Sequence, residues 1–238
     1  MTETLPPVRS TNYLPARAGM LCYDSWGFHG RPILLIPTVL FGRTSWWPTA
    51  ADLRPHATVV AVDLPGHGQS TARACYDPGE LVDDLAALLN SLRIRRAPVV
   101  VGHGTSAVLA TMFAARYATH AVVAVDPCRP VDLPSDAHAY LQTMSVEAVP
   151  EPYRYVVEGT ADQLLFDRYT NGLRDLRPAT ATIGVNPLRV AVHSRPPEAA
   201  ETDPDAARQW RHETYDVPGR FAHLAAAHRF VTDLCTLL

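Results

Sequence analysis

The sequence of 238 residues contains no lysine, and all 21 of its basic residues are arginine. Without lysine the chain cannot form a Schiff base with a carbonyl compound or supply the lysine of a phosphate-binding loop. The formal net charge is only −3 at pH 7, so nucleic-acid binding driven by charge is not expected. With 47% hydrophobic and 19% charged residues, the composition is that of an ordinary globular protein with one core.

Closely spaced cysteines are absent as well. Cys22, Cys75, Cys128 and Cys235 are far apart in the chain, which argues against a zinc site and a disulfide framework. We therefore expect no metal. No apolar run approaches the roughly 20 residues that span a bilayer, and the first 19 residues lack the apolar centre of a signal peptide. These absences predict a cytoplasmic protein that binds neither membrane nor nucleic acid.

Short apolar runs alternate along the chain with segments of helical spacing. This rhythm predicts a mostly parallel sheet flanked by helices. The run at 32–36 ends at Pro37, as a strand buried on both faces would. The predicted strands are 20–26, 32–36, 57–62, 98–101, 121–125, 188–192 and 213–217, and the predicted helices begin near residue 45 or span 78–92, 107–117 and 221–237.

The rhythm breaks between residues 127 and 186. Prolines are scattered through this stretch, and only weak helical patterns remain, at 137–144 and 162–173. The stretch is too short to be an independent domain. We predict a single domain, 1–238, in which residues 127–186 form a small helical cap over the edge of the sheet.

Three motifs occur in a fixed order along the chain. They read Asp-Leu-Pro-Gly-His-Gly-Gln-Ser at 63–70, Val-Val-Val-Gly-His-Gly-Thr-Ser at 99–106 and Val-Pro-Gly-Arg-Phe-Ala-His-Leu at 217–224. The first resembles the D-x-P-G-x-G-x-S turn of the α/β-hydrolase superfamily, the second its G-x-S-x-G nucleophile elbow, and the third its G-x-G-H-F-x-H-L segment. The resemblance extends from about residue 19 to the last residue and implies the α/β-hydrolase fold with a cap.

The residues that this family uses for hydrolysis are replaced. Gly104 stands at the nucleophile position, where a hydrolase needs a Ser, Cys or Asp side chain. Arg220 matches the catalytic histidine, although a guanidinium stays charged and cannot act as a general base. The turn at 193–197 matches the acid turn but has no carboxylate, which leaves Glu198 and Asp203 as alternatives. The resemblance therefore implies that all three positions of the triad are lost.

The main chain of the elbow is still suited to stabilising negative charge. The N–H groups of Thr105, at a helix N-terminus, and of Val39 are expected to form an oxyanion hole. Gly104 is expected to open space beside this hole for a planar or bulky ligand, and Arg220 to add a cation. Asp126, at the end of a strand, is a candidate for proton transfer, although an Asp-Pro pair also starts turns.

Further side chains are candidates for lining the pocket. For His103 and Trp46, packing in the core is the default role, and the cap tyrosines also have a packing alternative. The predicted substrate-binding residues are Gly104, His103, Thr38, Trp46, Cys128, Tyr140, His193 and His223.

Three functions remain open. The first is a cofactor-independent enzyme that no longer hydrolyses, resembling the cyclases, isomerases and carbon–carbon bond-forming members of the superfamily in bacterial, notably actinobacterial, secondary metabolism. Its substrate would be a hydrophobic aromatic or polyketide-like molecule, and the protein a monomer or homodimer. The second is a non-catalytic small-molecule binder. The third is an esterase or thioesterase with a displaced triad, built from Cys128 or Ser106, from His193 or His223, and from Asp126.

Overall fold

The computed structural model describes residues 9–17, 19–174, 187–197 and 209–238. The strands in this part of the chain are β1 (Ser10–Ala16), β2 (Gly19–Trp26), β3 (Arg31–Ile36), β4 (Ala57–Val62), β5 (Val99–His103), β6 (Ala121–Val125), β7 (Leu188–His193) and β8 (Arg211–Thr214). They form one eight-stranded sheet in the order β1-β2-β4-β3-β5-β6-β7-β8. The first two pairings are antiparallel, and all the others are parallel.

Helices pack on both faces of this sheet. The α-helices are α1 (Trp47–Leu53), α2 (Pro78–Ser91), α3 (Ser106–Arg116), α4 (Ala137–Met144), α5 (Gln163–Arg174), α6 (Ala222–Ala225) and α7 (Ala227–Cys235). Helix α2 shows how local sequence sets a boundary, because Pro78 lies in its first turn and the Asp77 side chain accepts a hydrogen bond from the Glu80 amide at 2.9 Å.

The central strands are buried on both faces because each face packs against its own core. In β3, Leu34 belongs to the core that contains residues of α2 and α3, whereas Ile33 and Leu35 belong to the core that contains residues of α1 and α7. Successive side chains of a strand point to opposite faces. A strand with two apolar faces therefore appears in the sequence as a continuous apolar run.

The predicted α/β fold, with a mostly parallel sheet flanked by helices, is confirmed. Three details differ. Strand β1 is not predicted, because its residues alternate between partly buried and exposed positions and include Pro15, as an edge strand allows. The last strand is Arg211–Thr214 rather than 213–217, and the predicted closing helix is divided at Ala226 into α6 and α7.

The predicted cap is described over residues 127–174, and residues 175–186 of it lie outside the described residues. Several contacts fasten this segment to the rest of the protein, two of them to the region after β3. The Thr44 hydroxyl donates to the Val156 carbonyl at 2.7 Å, and Phe41 forms an antiparallel bridge with Gly159. Among the helices in the described ranges, none is both long and apolar enough to cross a bilayer.

Candidate functional site

The elbow lies where β5 turns into α3. Gly104 connects the two elements with a φ of 54°, a left-handed conformation that glycine adopts without steric cost. Gly102 is needed for a different reason, since a Cβ there would overlap the carbonyl oxygen of Ser106. The strand and the helix therefore approach each other closely, as the resemblance to a nucleophile elbow implies.

No space for a side chain is left at Gly104. A Cβ placed there would overlap the Thr38 hydroxyl and would lie 2.9 Å from Thr38 Cβ and 3.2 Å from the Tyr140 hydroxyl. Thr38 is fully buried, and Tyr140 is 1% exposed. The expectation that Gly104 opens room for a ligand is therefore wrong, because neighbouring side chains fill that room.

The two expected oxyanion-hole donors are already hydrogen-bonded. The Thr105 amide donates to the Thr38 hydroxyl at 3.2 Å, and the Val39 amide donates to the Thr105 hydroxyl at 3.1 Å. The two hydroxyl oxygens are 3.1 Å apart. This reciprocal pair satisfies both N–H groups, which burial would otherwise leave without partners. Threonine hydroxyls of the protein itself thus occupy both donors of the expected oxyanion hole.

Tyr140 brings the cap into this arrangement. Its hydroxyl lies 2.6 Å from the Thr38 hydroxyl, which joins α4 to the loop after β3. Burial raises the pKa of Tyr140 well above its ordinary value, so the side chain is a neutral phenol at pH 7. Thr38, Thr105 and Tyr140 together form the hydroxyl cluster.

Arg220 places a positive charge beside the elbow. Its Nη1 lies 3.0 Å from Cys128 Sγ, and the Cys128 amide donates to the Gly104 carbonyl at 3.3 Å. The main-chain carbonyl of Arg220 is also 2.7 Å from His103 Nε2. The position that matches the family's catalytic histidine therefore holds a partly exposed cation. Its contacts with Cys128 and His103 connect it to the elbow.

Asp126 holds three elements together at the end of β6. Its carboxylate accepts hydrogen bonds from the Ser194 amide at 2.6 Å, from the Ser194 hydroxyl at 2.8 Å and from the Ala222 amide at 3.0 Å. These bonds join the ends of β6 and β7 to the start of α6, two residues after Arg220. The geometry thus gives Asp126 a positioning role, and its part in proton transfer stays a prediction.

His103, His223 and Trp46 lie in the core beneath the elbow, and each is 0% exposed. The Trp46 and His223 rings are 4.1 Å apart, and the two imidazoles are 4.9 Å apart. Burial lowers the pKa of both histidines, which keeps them neutral. The structure places these residues in the core, as the default role of His103 and Trp46 implies, and their contact with a substrate stays a prediction.

His193 ends β7, two strands away from β5. Its Nε2 lies 3.0 Å from Nδ1 of His212 on β8, and the two rings stack at a centroid distance of 5.2 Å. The imidazole thus pairs with β8, and its expected role in lining the substrate site stays a prediction. Glu198 and Asp203, the alternative acids, lie outside the described residues.

The displaced triad is not formed through Ser106. The Ser106 hydroxyl donates to the Pro37 carbonyl at 2.6 Å, and the residue is 1% exposed. An activated serine needs a base within hydrogen-bond reach of its hydroxyl, and a carbonyl oxygen does not serve as one. In the part of the chain that the structure describes, no three His, Cys, Asp or Glu side chains are grouped to hold a metal ion.

His67 is a positioning residue whose role the sequence does not reveal. Its Nε2 accepts a hydrogen bond from the Leu40 amide at 2.8 Å, and its Nδ1 lies 3.2 Å from the Pro65 carbonyl. Because Nε2 accepts, the imidazole must be neutral, and burial lowers its pKa to about 4. His67 thereby holds the loop that carries Thr38 and Val39. The only signal is a histidine at a variable position of the first motif.

A buried charged network supports the same loop. Arg43 lies between two carboxylates: its Nε is 3.0 Å from Asp24 Oδ2, and its Nη1 pairs with Asp63. Asp63 also accepts hydrogen bonds from the amides of Arg43 at 2.7 Å and Gln69 at 2.9 Å. The three charged side chains are at most 7% exposed. The network fastens the 63–70 turn to the segment after β3.

Comparison with known proteins agrees with this architecture. The sequence pattern described as the Alpha/beta hydrolase family matches residues 27–234. Among curated proteins, (E)-2-((N-methylformamido)methylene)succinate hydrolase of Acinetobacter baylyi is 32% identical over 84 residues, which are 34% of this chain and 31% of that protein. The chain spans only 26% to 31% of the length of the curated relatives it matches.

Solved structures show the same fold at low identity. The Cif epoxide hydrolase from Acinetobacter nosocomialis is 17% identical with a TM-score of 0.74, over 99% of this chain and 90% of that one. A structure of an AqdC variant, which concerns recognition and ring-cleavage of the Pseudomonas quinolone signal, is 17% identical with a TM-score of 0.70, over 96% of this chain and 98% of that one. Similarity at this identity shows the fold alone.

Proposed function

Because the chain belongs to the Alpha/beta hydrolase family, we propose that it is a non-hydrolytic member that acts without a cofactor on a hydrophobic aromatic or polyketide-like molecule. One observation carries the proposal. Gly104 occupies the nucleophile position, and Thr38 and Tyr140 fill the space that a nucleophilic side chain would need. An acyl-enzyme requires such a side chain, so catalysis through a covalent intermediate has no starting point at the elbow.

The remaining groups suit stabilisation of an enolate or phenolate. The Tyr140 and Thr38 hydroxyls are 2.6 Å apart and take the place of the occupied amides as donors, while Arg220 supplies a countercharge. A substrate carbonyl polarised in this way can undergo carbon–carbon bond formation, cyclisation or isomerisation when the second reacting carbon is held close to it. The substrate must displace α4, since Tyr140 is 1% exposed.

Because the relatives differ in activity, the function of this chain has to be inferred from its site rather than from its fold. Hydrolases and a ring-cleaving protein share this architecture, and one fold commonly carries several chemistries. The residues at the elbow of this chain therefore have more weight than the activity of any relative.

A non-catalytic small-molecule binder is the second candidate, and a specific observation favours it. The amides of Val39 and Thr105 are both hydrogen-bonded, and both residues are at most 2% exposed. A site whose donors are satisfied internally needs rearrangement before it can polarise a carbonyl. A binder would take up its ligand without that step.

The experiment compares hydrolysis, conversion and binding in one preparation. We expect no turnover of p-nitrophenyl esters, no labelling by a fluorophosphonate, and an isomeric or coupled product from a panel of aromatic and polyketide-like ketones, detected by mass spectrometry. Arg220→Ala and Tyr140→Phe should each reduce product formation at least tenfold. Arg229→Ala, which changes an exposed arginine on α7, is the control and should leave the rate unchanged.

Three results would contradict parts of this proposal. Ester turnover with covalent labelling would show that the chain hydrolyses. Saturation at one ligand per chain without product would favour the binder. Unchanged product formation in both Arg220→Ala and Tyr140→Phe would show that neither group takes part in the reaction.

A further inference from the structure

A second concave site lies outside the elbow, between the core and the cap. This aromatic groove has a volume of about 560 Å³, which is within the range of small-molecule sites. Residues from β2, α1 and the 3-10 turn Glu151–Val156 line it. The side chains that matter here are Arg9, Trp26, Trp47, Asp52, Tyr153 and Tyr155. The described lining includes no member of the hydroxyl cluster.

Trp47 presents a fixed aromatic face to the groove. Its indole Nε1 donates to the buried carboxylate of Asp24 at 2.7 Å, which sets the orientation of the ring. Proline at the next position lies in the first turn of α1 and restricts the main chain there. Because neither the ring nor the backbone needs to be ordered on binding, this face is preorganised for a ligand.

A guanidinium already covers that face. The Cζ atom of Arg9 lies 3.7 Å from the centre of the Trp47 ring, which is a close cation–π contact. Arg9 directly precedes β1, whose first residue pairs with Ser25 next to Trp26. Arg9 is itself exposed, so it can leave the ring without disturbing buried structure. The chain thus shows which chemical group the face accepts.

The rest of the groove suits the same kind of ligand. Tyr155 is 69% exposed although it is aromatic, and with Tyr153 it adds further ring surface. Asp52 is exposed on α1, and the described residues provide no ion pair for its carboxylate. Aromatic faces around one carboxylate attract a planar cation and discriminate against a neutral or anionic one.

We propose that the aromatic groove binds a small molecule with a guanidinium group, which displaces Arg9 from Trp47 and pairs with Asp52. Arg9 is the intramolecular occupant and competes with the ligand. The remaining volume holds the body of the ligand between Tyr153 and Tyr155. This site is independent of the function proposed for the elbow.

The test titrates Nα-acetyl-arginine methylamide against the full chain by calorimetry. The Arg9→Ala variant should bind it saturably at one site, with at least threefold higher affinity than wild type, because the competitor is removed. Arg17→Ala changes an exposed arginine just beyond the other end of β1 and should bind as wild type does. The citrulline analogue, which is nearly the same shape but neutral, should bind Arg9→Ala at least tenfold more weakly.

Two further variants locate the site. In the Arg9→Ala background, Asp52→Asn and Tyr155→Ala should each weaken binding at least threefold, while circular dichroism confirms that both variants fold. Absence of saturable binding to Arg9→Ala would overturn the proposal. Equal binding of the citrulline analogue, or binding unchanged by both Asp52→Asn and Tyr155→Ala, would overturn it as well.

Discussion

Two turns at the carboxyl edge of the sheet match the family pattern to different degrees. The turn after β4, residues 63–70, has the motif residue at every fixed position, and its Asp63 pairs with the buried Arg43. The elbow after β5 matches its motif only at Gly102. Both turns are nonetheless closely packed, and in each of them side-chain oxygens accept hydrogen bonds from main-chain amides.

The difference separates what the fold needs from what hydrolysis needs. In the 63–70 turn, a carboxylate satisfies main-chain amides and a buried guanidinium, so the side chain itself builds the structure. In the elbow, a nucleophile would serve chemistry, and Thr38 and Tyr140 fill the space it would need. The Thr38 and Thr105 hydroxyls accept hydrogen bonds from the two amides there. The elbow keeps its local fold with glycine at position 104 because its buried main-chain amides have hydrogen-bond partners.

The largest expected effect concerns the charged network. Arg43→Met leaves two buried carboxylates without their cation and should lower the free energy of unfolding by about 3–5 kcal/mol, measured by urea denaturation. Arg17→Met removes one partner of an exposed ion pair with Glu80 and should cost about 1 kcal/mol or less. If both variants lose the same small amount of unfolding free energy, the charged network does not stabilise the 63–70 turn. The two turns would then not differ in the way described.

A pH series tests the link between the two turns. Burial lowers the pKa of His67 from 6.5 to about 4. Between pH 6.5 and about pH 4, His67 is therefore protonated in the unfolded chain and neutral in the folded protein. Stability should therefore decrease as the pH falls through this window, with His67 contributing at most about 1.4 kcal/mol per pH unit.

The variant His67→Gln isolates this contribution. Its amide oxygen can accept the Leu40 N–H but cannot titrate, so urea denaturation between pH 7 and 4 should show a shallower loss of stability than in wild type. The remaining slope includes contributions from His103, His120 and His223, whose pKa values burial also lowers. Identical slopes in wild type and variant would show that His67 is not kept neutral by the fold.

A smaller effect is expected at the centre of the elbow. Gly104→Ala places a Cβ against Thr38 at a positive φ and should reduce stability by about 1–3 kcal/mol. Thr38→Ala removes the hydroxyl that the Cβ would overlap. The double variant should therefore lose less stability than the two single variants lose in total, by at least about 0.5 kcal/mol. Strict additivity would mean that Thr38 does not fill the space at Gly104.

The smallest expected effect is on the bond between cap and core. Tyr140→Phe removes one buried hydrogen bond to Thr38 and should cost about 0.5–1.5 kcal/mol. Hydrogen exchange at the Thr105 and Val39 amides should also accelerate. Tyr155→Phe, at an exposed position, is the control and should change neither quantity. Unchanged exchange in Tyr140→Phe would show that the cap does not protect these amides.

Most of the fold could be predicted because its signals are local. Strands buried on both faces appear as short apolar runs, and β3 to β7 were found in this way. Strand β1 could not be found, since an edge strand needs no apolar run and tolerates Pro15. The division of the closing helix at Ala226 gave no signal either, because alanine favours helix and nothing nearby in the sequence ends one.

The site could be predicted only as far as the main chain determines it. The turn at Gly104 and the meeting of the Thr105 and Val39 amides follow from the elbow motif. The closure of that space depends on Thr38 and Tyr140, which are 102 positions apart in the chain. Contacts at such separation arise from tertiary packing and have no local pattern in the sequence. The same holds for Arg43, whose two carboxylate partners come from β2 and from the end of β4.

The Thr38 oxygen is shared by the cap and by an elbow amide, so movement of the cap would be coupled to release of that amide. A ligand that lifts α4 breaks the Tyr140–Thr38 bond, and Thr38 can then turn away from the Thr105 N–H. If the ligand binds only the open form, its apparent affinity would be the intrinsic affinity reduced by the fraction of molecules already open. A substitution that loosens this anchor would therefore make the protein less stable and a tighter binder at the same time.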